Sequence, residues 1–218
     1  MDWTAAIDGY CERLTPGLWA EPLNLVSNAA FLIAATWCWR RADGLVLPRA
    51  LAALLFVIGI GSALFHSFAT IWASAADVIP IAVFILAYVY AANRAYLGWP
   101  VWASALGAAG FVPWALLLTP VFTALPFLSV SAFYWPVPLL IAVYAAWLWR
   151  RWPMVGRGMA LGAALLCLSL VFRSLDEMLC AGWPIGTHFA WHTLNGVLLG
   201  WMIELIRRAL LAGPPRAR

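Results

Sequence analysis

The chain has 218 residues, of which 65% are hydrophobic and 10% are charged, and its mean hydropathy is +0.89. This composition excludes an ordinary soluble domain and is typical of a protein that crosses a membrane several times. The formal net charge is +4 at pH 7 and all 13 basic residues are arginines, so the chain has no lysine to bind retinal as a Schiff base. We expect no nucleic-acid partner.

A helix needs about 20 apolar residues to cross a bilayer. Seven stretches approach that length: 21–39, 48–68, 73–93, 99–118, 135–149, 158–179 and 187–206. The fifth is the shortest, and prolines at Pro136 and Pro138 interrupt its start. The sequence therefore predicts an all-α membrane protein, a seven-transmembrane helix bundle over residues 21–210, with an N-terminal tail at 1–20 and a C-terminal tail at 211–218.

The charges predict how the chain lies in the membrane. Residues 1–20 carry acidic residues where a cleavable signal peptide would need a basic start and an apolar core, so we expect the tail to belong to the mature protein. Cytoplasmic loops are enriched in arginine. Most arginines follow odd spans or lie in the C-terminal tail, whereas Arg13 alone lies on the opposite side outside the spans. We therefore expect an extracytoplasmic N-terminus and a cytoplasmic C-terminus.

Unusual polar residues collect at one end of the predicted bundle. Alternating spans place the starts of odd helices and the ends of even helices on the outer side, and five helices contribute polar residues there. These residues are Glu21, Asn24, Ser62, His66, Asp77, Arg173, Asp176, His188 and His192. Ionisable residues at membrane depth are costly and mark functional sites. The active site is therefore expected in the outer half of the membrane.

The three histidines of the chain are candidate zinc ligands. His188 and His192 are four residues apart and share a helix face, while His66 ends a different span. A lone histidine at a helix end is more often an interfacial residue, but here all three are predicted at one depth. Three imidazoles leave a fourth tetrahedral position open for water, as in catalytic zinc sites. Zinc lowers the pKa of such a water to about 7, which provides a nucleophile at neutral pH.

Ser62 and Asp77 are candidate catalytic residues. Ser62 lies one helical turn before His66 and could donate to a developing oxyanion, although the run Gly59–Ala63 also suits close helix packing. Both roles can hold together. Asp77 could orient a ligand histidine or exchange a proton with the metal-activated water.

Other outer-side residues have less specific interpretations. Arg173 and Asp176 are three residues apart, for which an intrahelical ion pair is the default interpretation, but we favour a supporting role for both behind the metal ligands. Asn24 and Asn28 share one helix face with Glu21 and could play the same supporting role.

The N-terminal tail offers a second cation site and a disulfide. Asp8, Glu12 and Glu21 form an oxygen-rich group suited to calcium, unless the acidic tail is simply solvated. Cys11 and Cys180 both lie on the oxidising outer side, where a bridge between them would be permitted.

Four motifs together resemble the alkaline ceramidases, which belong to a superfamily of seven-helix membrane hydrolases that includes the adiponectin receptors. The motifs are Glu21-Pro-Leu-Asn24-Leu-Val-Ser27-Asn28, Gly61-Ser62-Ala-Leu-Phe65-His66, Asp77, and Gly186-Thr-His188-Phe-Ala-Trp191-His192. The likeness extends over roughly residues 8–195. It implies zinc on the three histidines, oxyanion support by Ser62 and proton handling by Asp77.

The resemblance also implies hydrolysis of ceramide to a sphingoid base and a fatty acid. It further implies calcium bound in the acidic tail and a disulfide that involves Cys11 and a cysteine near the sixth span. The tail spacing between Asp8 and Glu12 differs from that of the animal enzymes. The expected protein is thus a zinc-dependent amidase acting on a ceramide-like membrane lipid. The alternatives are a receptor-like, metal-containing member of the superfamily and a histidine-ligated haem or transport protein.

Overall fold

The computed structural model describes residues 2–7 and 9–213, and these residues form ten helices and no β-strand. In chain order the helices are α1 (Pro22–Ser27), α2 (Ala29–Arg41), α3 (Val46–Phe68), α4 (Ile71–Tyr96), α5 (Val101–Ala109), α6 (Phe111–Thr123), α7 (Pro126–Ser129), α8 (Pro136–Leu148), α9 (Pro153–Leu179) and α10 (His188–Ala212).

Four helical segments are long and apolar enough to cross a membrane. They are α3, α4, the segment Val101–Thr123 that contains α5 and α6, and α9. Helix α8 is also apolar, but its 13 residues extend only about 20 Å, less than the ~30 Å hydrocarbon core of a bilayer. The protein is therefore all-helical with helices that can span a membrane.

The observed helices differ from the predicted stretches in three places. The first stretch is divided at Asn28, whose side-chain amide donates to the carbonyls of Asn24 (2.8 Å) and Leu25 (3.3 Å) and closes the end of α1. The fourth is divided at Gly110 between α5 and α6. Helix α10 extends to Ala212, into the segment assigned to the C-terminal tail, and residues 214–218 of that tail lie outside the described residues.

Helices α3 and α10 lie at the centre of the fold. Helix α3 packs on α2 and α4, while α10 packs on α9 and α2, and α8 covers the other side of α9. The core between them is built from leucine, isoleucine and methionine side chains that are fully buried, among them Leu55, Ile58, Leu198 and Met202. This arrangement brings the end of α3 beside the start of α10.

The closest helix contact is between α3 and α4. A Cβ atom at Gly61 would collide with the backbone carbonyl of Ala76, and it would also lie 3.4 Å from the Cα of Asp77. Only glycine leaves enough room for the two backbones to approach this far. The neighbours of this contact in the chain are Ser62 on α3 and Asp77 on α4, so the contact fixes their helices against each other.

The N-terminal tail crosses the ends of the helices that carry the polar residues. Three backbone hydrogen bonds attach the tail to the turn between α3 and α4: Ile7 N to Ala69 O (2.7 Å), Ile71 N to Ala5 O (3.1 Å) and Trp72 N to Trp3 O (3.0 Å). Ala69 itself has a left-handed backbone, with φ of 44°. The tail is therefore an ordered part of the fold.

A cysteine pair fastens the tail to the other half of the protein. Cys11 and Cys180 lie at disulfide distance, with their Cα atoms 5.2 Å apart and a separation of 169 positions in the sequence. This agrees with the bridge expected on the oxidising side of a membrane. Beside it, the Asp176 carboxylate accepts the backbone N–H of Cys11 at 3.1 Å. The tail is thus connected to the ends of both α3 and α9.

A buried carboxylate holds together the opposite end of the bundle. Glu204 is 2% exposed and pairs with Arg207 (2.8 Å), Arg208 (2.9 Å) and Arg41 (3.6 Å). Arg207 also reaches Asp43 in the turn after α2 at 2.5 Å. A buried carboxylate needs such partners, and here they connect α10 to the end of α2.

Candidate metal centre

The three histidines converge at the end of the bundle that lies under the tail. His66 lies in the last turn of α3, His188 begins α10, and His192 lies one turn later. Each can offer a ring nitrogen within 4.8 Å of the others, and all three side chains are buried. Within residues 2–7 and 9–213 they are the only group of three or more His, Cys, Asp or Glu side chains so arranged.

Hydrogen bonds fix which nitrogen carries the proton on two of these rings. Glu21 Oε2 lies 2.5 Å from His66 Nδ1, so the carboxylate accepts a hydrogen bond from that nitrogen. Ser27 Oγ donates to the backbone carbonyl of Asn24 at 2.8 Å and lies 2.8 Å from His192 Nδ1, so it accepts from that ring. Both histidines thus turn their Nε2 atoms toward the centre.

The two Nε2 atoms face each other at 3.1 Å. At that distance the two nitrogens can share a hydrogen bond or bind one metal cation together. Two zinc–nitrogen bonds of 2.0–2.1 Å at a tetrahedral angle place their nitrogens about 3.3 Å apart. His188 contributes a buried Nδ1 that has no hydrogen-bond partner among the described residues. The donor set and its spacing therefore fit zinc.

Ser62 lies beside the histidines, and Asp77 lines the same cavity as Ser62. Ser62 is buried, and its Oγ lies 3.5 Å from His192 Nε2. Asp77 lies in the second turn of α4, and its Oδ1 is buried without a hydrogen-bond partner in the part of the chain that the structure describes. Because Glu21 and Ser27 already hold His66 and His192, the Asp77 carboxylate is not needed to orient those rings.

An apolar cavity of about 100 Å³ begins at Ser62 and Asp77. It runs between α3, α4, α8, α9 and α10, and aliphatic and aromatic side chains line most of its wall. Tyr88 also lines it, and the hydroxyl of this residue bonds to that of Tyr96 at 2.9 Å. The cavity can therefore accept an apolar chain whose polar end lies at the histidines.

Asp176 supports the start of α10. Its Oδ1 accepts the backbone N–H groups of Thr187 (2.6 Å) and His188 (2.9 Å). Gly186 has φ of 69°, and a Cβ atom there would collide with the Asp176 carboxylate, so this turn requires glycine. The carboxylate fixes the first residue of α10, which is a candidate ligand.

Arg173 does not pair with Asp176. Both residues lie in the described part of the chain, where each has other partners and the default intrahelical pair does not form. Arg173 donates to the carbonyl of Val130 (2.9 Å) and to Ser131 Oγ (3.0 Å) and lies over the rings of Tyr134 and Trp191. The tertiary partners of each residue outweigh the local spacing.

Asn24 and Asn28 belong to the network around α1. Asn24 Nδ2 donates to Glu21 Oε2 at 3.1 Å, while Asn28 bonds to the backbone of α1. The side-chain Oδ1 atom of each residue is buried without a partner among the described residues. Asn24 thus helps to hold the carboxylate that holds His66, whereas Asn28 acts on the helix end.

The acidic residues expected to bind calcium have other partners. Both oxygens of Glu12 accept backbone N–H groups at the start of α1, from Leu23 (2.6 Å) and Asn24 (2.8 Å). Glu21 is bound by Arg13 at 2.5 Å and by His66. Calcium requires six to eight oxygen ligands. Asp8 lies outside the described residues, and the arrangement of the two described carboxylates does not fit calcium.

Tyr10 of the tail covers the histidines from outside. Its ring stacks on His188, with centroids 3.8 Å apart and planes at 28°, and it lies 5.2 Å from the ring of His66. Burial raises the pKa of the Tyr10 hydroxyl above its ordinary value, so the phenol stays neutral. Tyr10 therefore covers the candidate metal centre without adding a charge of its own.

Three residues of this centre were missed by sequence reasoning: Ser27, Tyr10 and the Arg13 partner of Glu21. Ser27 lies within the first motif quoted above, three residues after Asn24, and that spacing could have assigned it to the same helix face. Arg13 is the only basic residue among the first 39, which was the signal for its role. No sequence signal marks Tyr10.

Comparison of the sequence with models of known protein families gave no match, and comparison with curated proteins gave none. The likeness to alkaline ceramidases is therefore carried by the motifs alone.

Proposed function

We propose that the protein is a zinc-dependent intramembrane amidase of the alkaline ceramidase type, which hydrolyses a ceramide-like lipid amide to a sphingoid base and a fatty acid. One observation carries this proposal: the Nε2 atoms of His66 and His192 face each other across 3.1 Å, beside the buried His188. Three imidazoles placed in this way are suited to a zinc ion with one open coordination position.

The surroundings support a lipid substrate. The apolar cavity opens at Ser62 and Asp77 and lies among helices long enough to cross a membrane. A chain of the lipid would lie in the cavity, with its amide at the histidines. Because the cavity wall is almost entirely apolar, the few polar groups at its end select the position of the amide.

The chain's own residues account for the proton and charge changes of amide hydrolysis. Zinc, when bound, supplies a Lewis acid that polarises the carbonyl and activates a water. Asp77 accepts the proton lost by the water and delivers it to the amide nitrogen as the carbon–nitrogen bond breaks. Ser62 donates a hydrogen bond to the carbonyl oxygen as negative charge develops on it. The products are an amine and a fatty acid, with one water consumed.

The proposal includes seven spans, formed by α1 with α2, α3, α4, α5 with α6, α8, α9, and α10. It also places the N-terminus and the active site outside the cytoplasm. The arginines support this orientation, because nearly all of them lie at the other end.

Protease access to tags tests this orientation. With a tag at each terminus, protease added to sealed spheroplasts is expected to remove the N-terminal tag and to leave the C-terminal tag until the cells are lysed. A protected N-terminus would reverse the sidedness of the chemistry without affecting the metal ligands.

A panel of lipid amides tests the activity. Purified protein is incubated with ceramides of several chain lengths, other N-acyl lipids and lipid esters, and released fatty acid is measured by mass spectrometry. We expect release from ceramide-like amides that depends on zinc, with His192→Ala as the inactive control. Full zinc occupancy without release from any amide would favour a receptor-like protein instead, and a haem spectrum would exclude the zinc site.

A further inference from the structure

Arg13 has an unusual environment for an arginine in an N-terminal tail. Its side chain is only 10% exposed and extends inward toward the end of α3. Nε donates to Glu21 Oε1 at 2.5 Å, Nη2 donates to the backbone carbonyl of His66 at 2.9 Å, and Nη1 lies 3.5 Å from the carbonyl of Gly17. One guanidinium thus joins the tail, the start of α1 and the last turn of α3.

The groups around Arg13 are those that a bound metal cation would use. They are one carboxylate oxygen and two backbone carbonyl oxygens, and oxygen atoms of this kind are calcium ligands. The guanidinium meets them with fixed N–H donors and a positive charge. The positive charge next to Glu21 is therefore supplied by a side chain of the protein and not by a bound ion.

Arg13 also affects a candidate zinc ligand through Glu21. This carboxylate uses Oε1 for Arg13 and Oε2 for His66 Nδ1, and it is 2% exposed. Holding one oxygen fixes the plane of the carboxylate and therefore the direction in which the other oxygen faces His66. The His66 carbonyl is held by the same guanidinium, so the residue is fixed at both its backbone and its ring.

We propose that Arg13 takes the place of a calcium ion in this protein. Its guanidinium neutralises Glu21 and positions Glu21 to hold His66, so the fold and the metal centre need no calcium. The effect on the metal centre rests on the proposed zinc site, whereas the independence from calcium does not.

The first test uses the unmodified protein. Its melting temperature is measured in calcium-free buffer and in about 5 mM calcium, which exceeds the 10⁻⁴–10⁻³ M dissociation constants of extracellular calcium sites. A ligand that binds only the folded state raises the melting temperature. We expect the two melting curves to coincide. A rise of several degrees in calcium would overturn the proposal.

The second test removes the charge. Arg13→Gln leaves the buried Glu21 carboxylate without its cation, and we expect the melting temperature to fall by roughly 5–10 °C. Adding Glu21→Gln to this variant is expected to recover part of that loss, since no unpaired charge remains. Arg157→Gln, at an exposed arginine of α9, is the matched control and is expected to leave the melting temperature unchanged. Strictly additive effects of Arg13→Gln and Glu21→Gln would contradict the coupling.

Zinc affinity separates a positioning role from a merely structural one. Substitution of a residue that orients a metal ligand typically weakens metal affinity 10- to 100-fold. Folded Arg13→Gln is therefore expected to bind zinc about 10-fold more weakly in chelator competition. Arg13→Lys keeps the charge and should recover part of the affinity. An unchanged zinc affinity in both variants would remove the positioning role.

The outcomes also distinguish this inference from the proposed function. If no lipid amide is cleaved but the zinc and melting results are as expected, the amidase assignment fails and the role of Arg13 stands. If the unmodified protein binds no zinc, the proposed centre fails, and the calcium comparison and the Arg13–Glu21 coupling still decide whether Arg13 replaces calcium.

Discussion

Alanine at His188 or His192 is expected to reduce bound zinc from about one ion per chain to almost none. Each substitution leaves two imidazoles, whereas a catalytic zinc ion ordinarily has three protein ligands. The two remaining rings keep their positions, because Glu21 still holds His66 and the Asp176 carboxylate still fixes the start of α10. Elemental analysis of the purified variants measures the loss.

A control variant separates loss of a ligand from damage to α10. Asn195 is buried on the same helix, one turn after His192, and bonds to Ser169 Oγ at 2.7 Å and to the Trp191 carbonyl at 2.9 Å. Asn195→Ala should keep its zinc. If His188→Ala and His192→Ala both retained full occupancy, the three-histidine centre would have to be abandoned.

Replacing Asp77 by asparagine is expected to reduce turnover of a lipid amide at least about 10²-fold while zinc is retained. The factor is the lower end of what general acid–base catalysis contributes. Asparagine keeps the volume and polarity of the side chain but does not accept a proton. Since the Nδ1 atoms of His66 and His192 are bound by Glu21 and Ser27, the substitution removes no contact that orients those two rings. Zinc content and initial rates are measured on the same preparation.

Asp2→Asn is the matched control for this change. Asp2 is exposed and lies in the N-terminal tail, which covers the same end of the bundle. It should retain the rate of the unmodified protein. An Asp77→Asn enzyme with an unchanged rate would show that Asp77 packs beside the metal centre without transferring protons.

The parts of the fold that depend on local sequence could be predicted well. Length and apolarity located α3, α4 and α9 closely, because membrane-length helices need no partner to be recognised. The spacing of four between His188 and His192 placed both on one face of α10. The grouping of these residues with His66 followed from the expected alternation of the spans.

The groups that hold the histidines could not be predicted in the same way. The Glu21 partner of His66 lies 45 residues away in the chain, and the Ser27 partner of His192 lies 165 residues away. The periodicity of a sequence identifies only residues that are neighbours on the same helix. For the same reason a spacing of three suggested that Arg173 pairs with Asp176, when the latter binds backbone amides of α10.

The N-terminal tail shows a further limit of predictions that are made from composition alone. Acidic residues near a membrane surface indicate that a positive charge is needed, but they do not identify its source. Here Arg13, eight residues before Glu21 in the same segment, provides it. A prediction made from the carboxylates alone therefore named calcium, and the contacts of the described residues favour an arginine.

The proposed chemistry depends on residue 61 having no side chain. Gly61 has a hydrogen atom where any other residue would have a Cβ atom, and a Cβ atom would collide with α4. Ser62 and Asp77 belong to two helices, and the gap between these helices depends on the absence of a side chain at Gly61. We expect a larger residue at position 61 to separate the two helices, although Gly61 itself carries no reactive group. In a design that transplanted this centre to another bundle, the glycine would have to be copied together with the histidines.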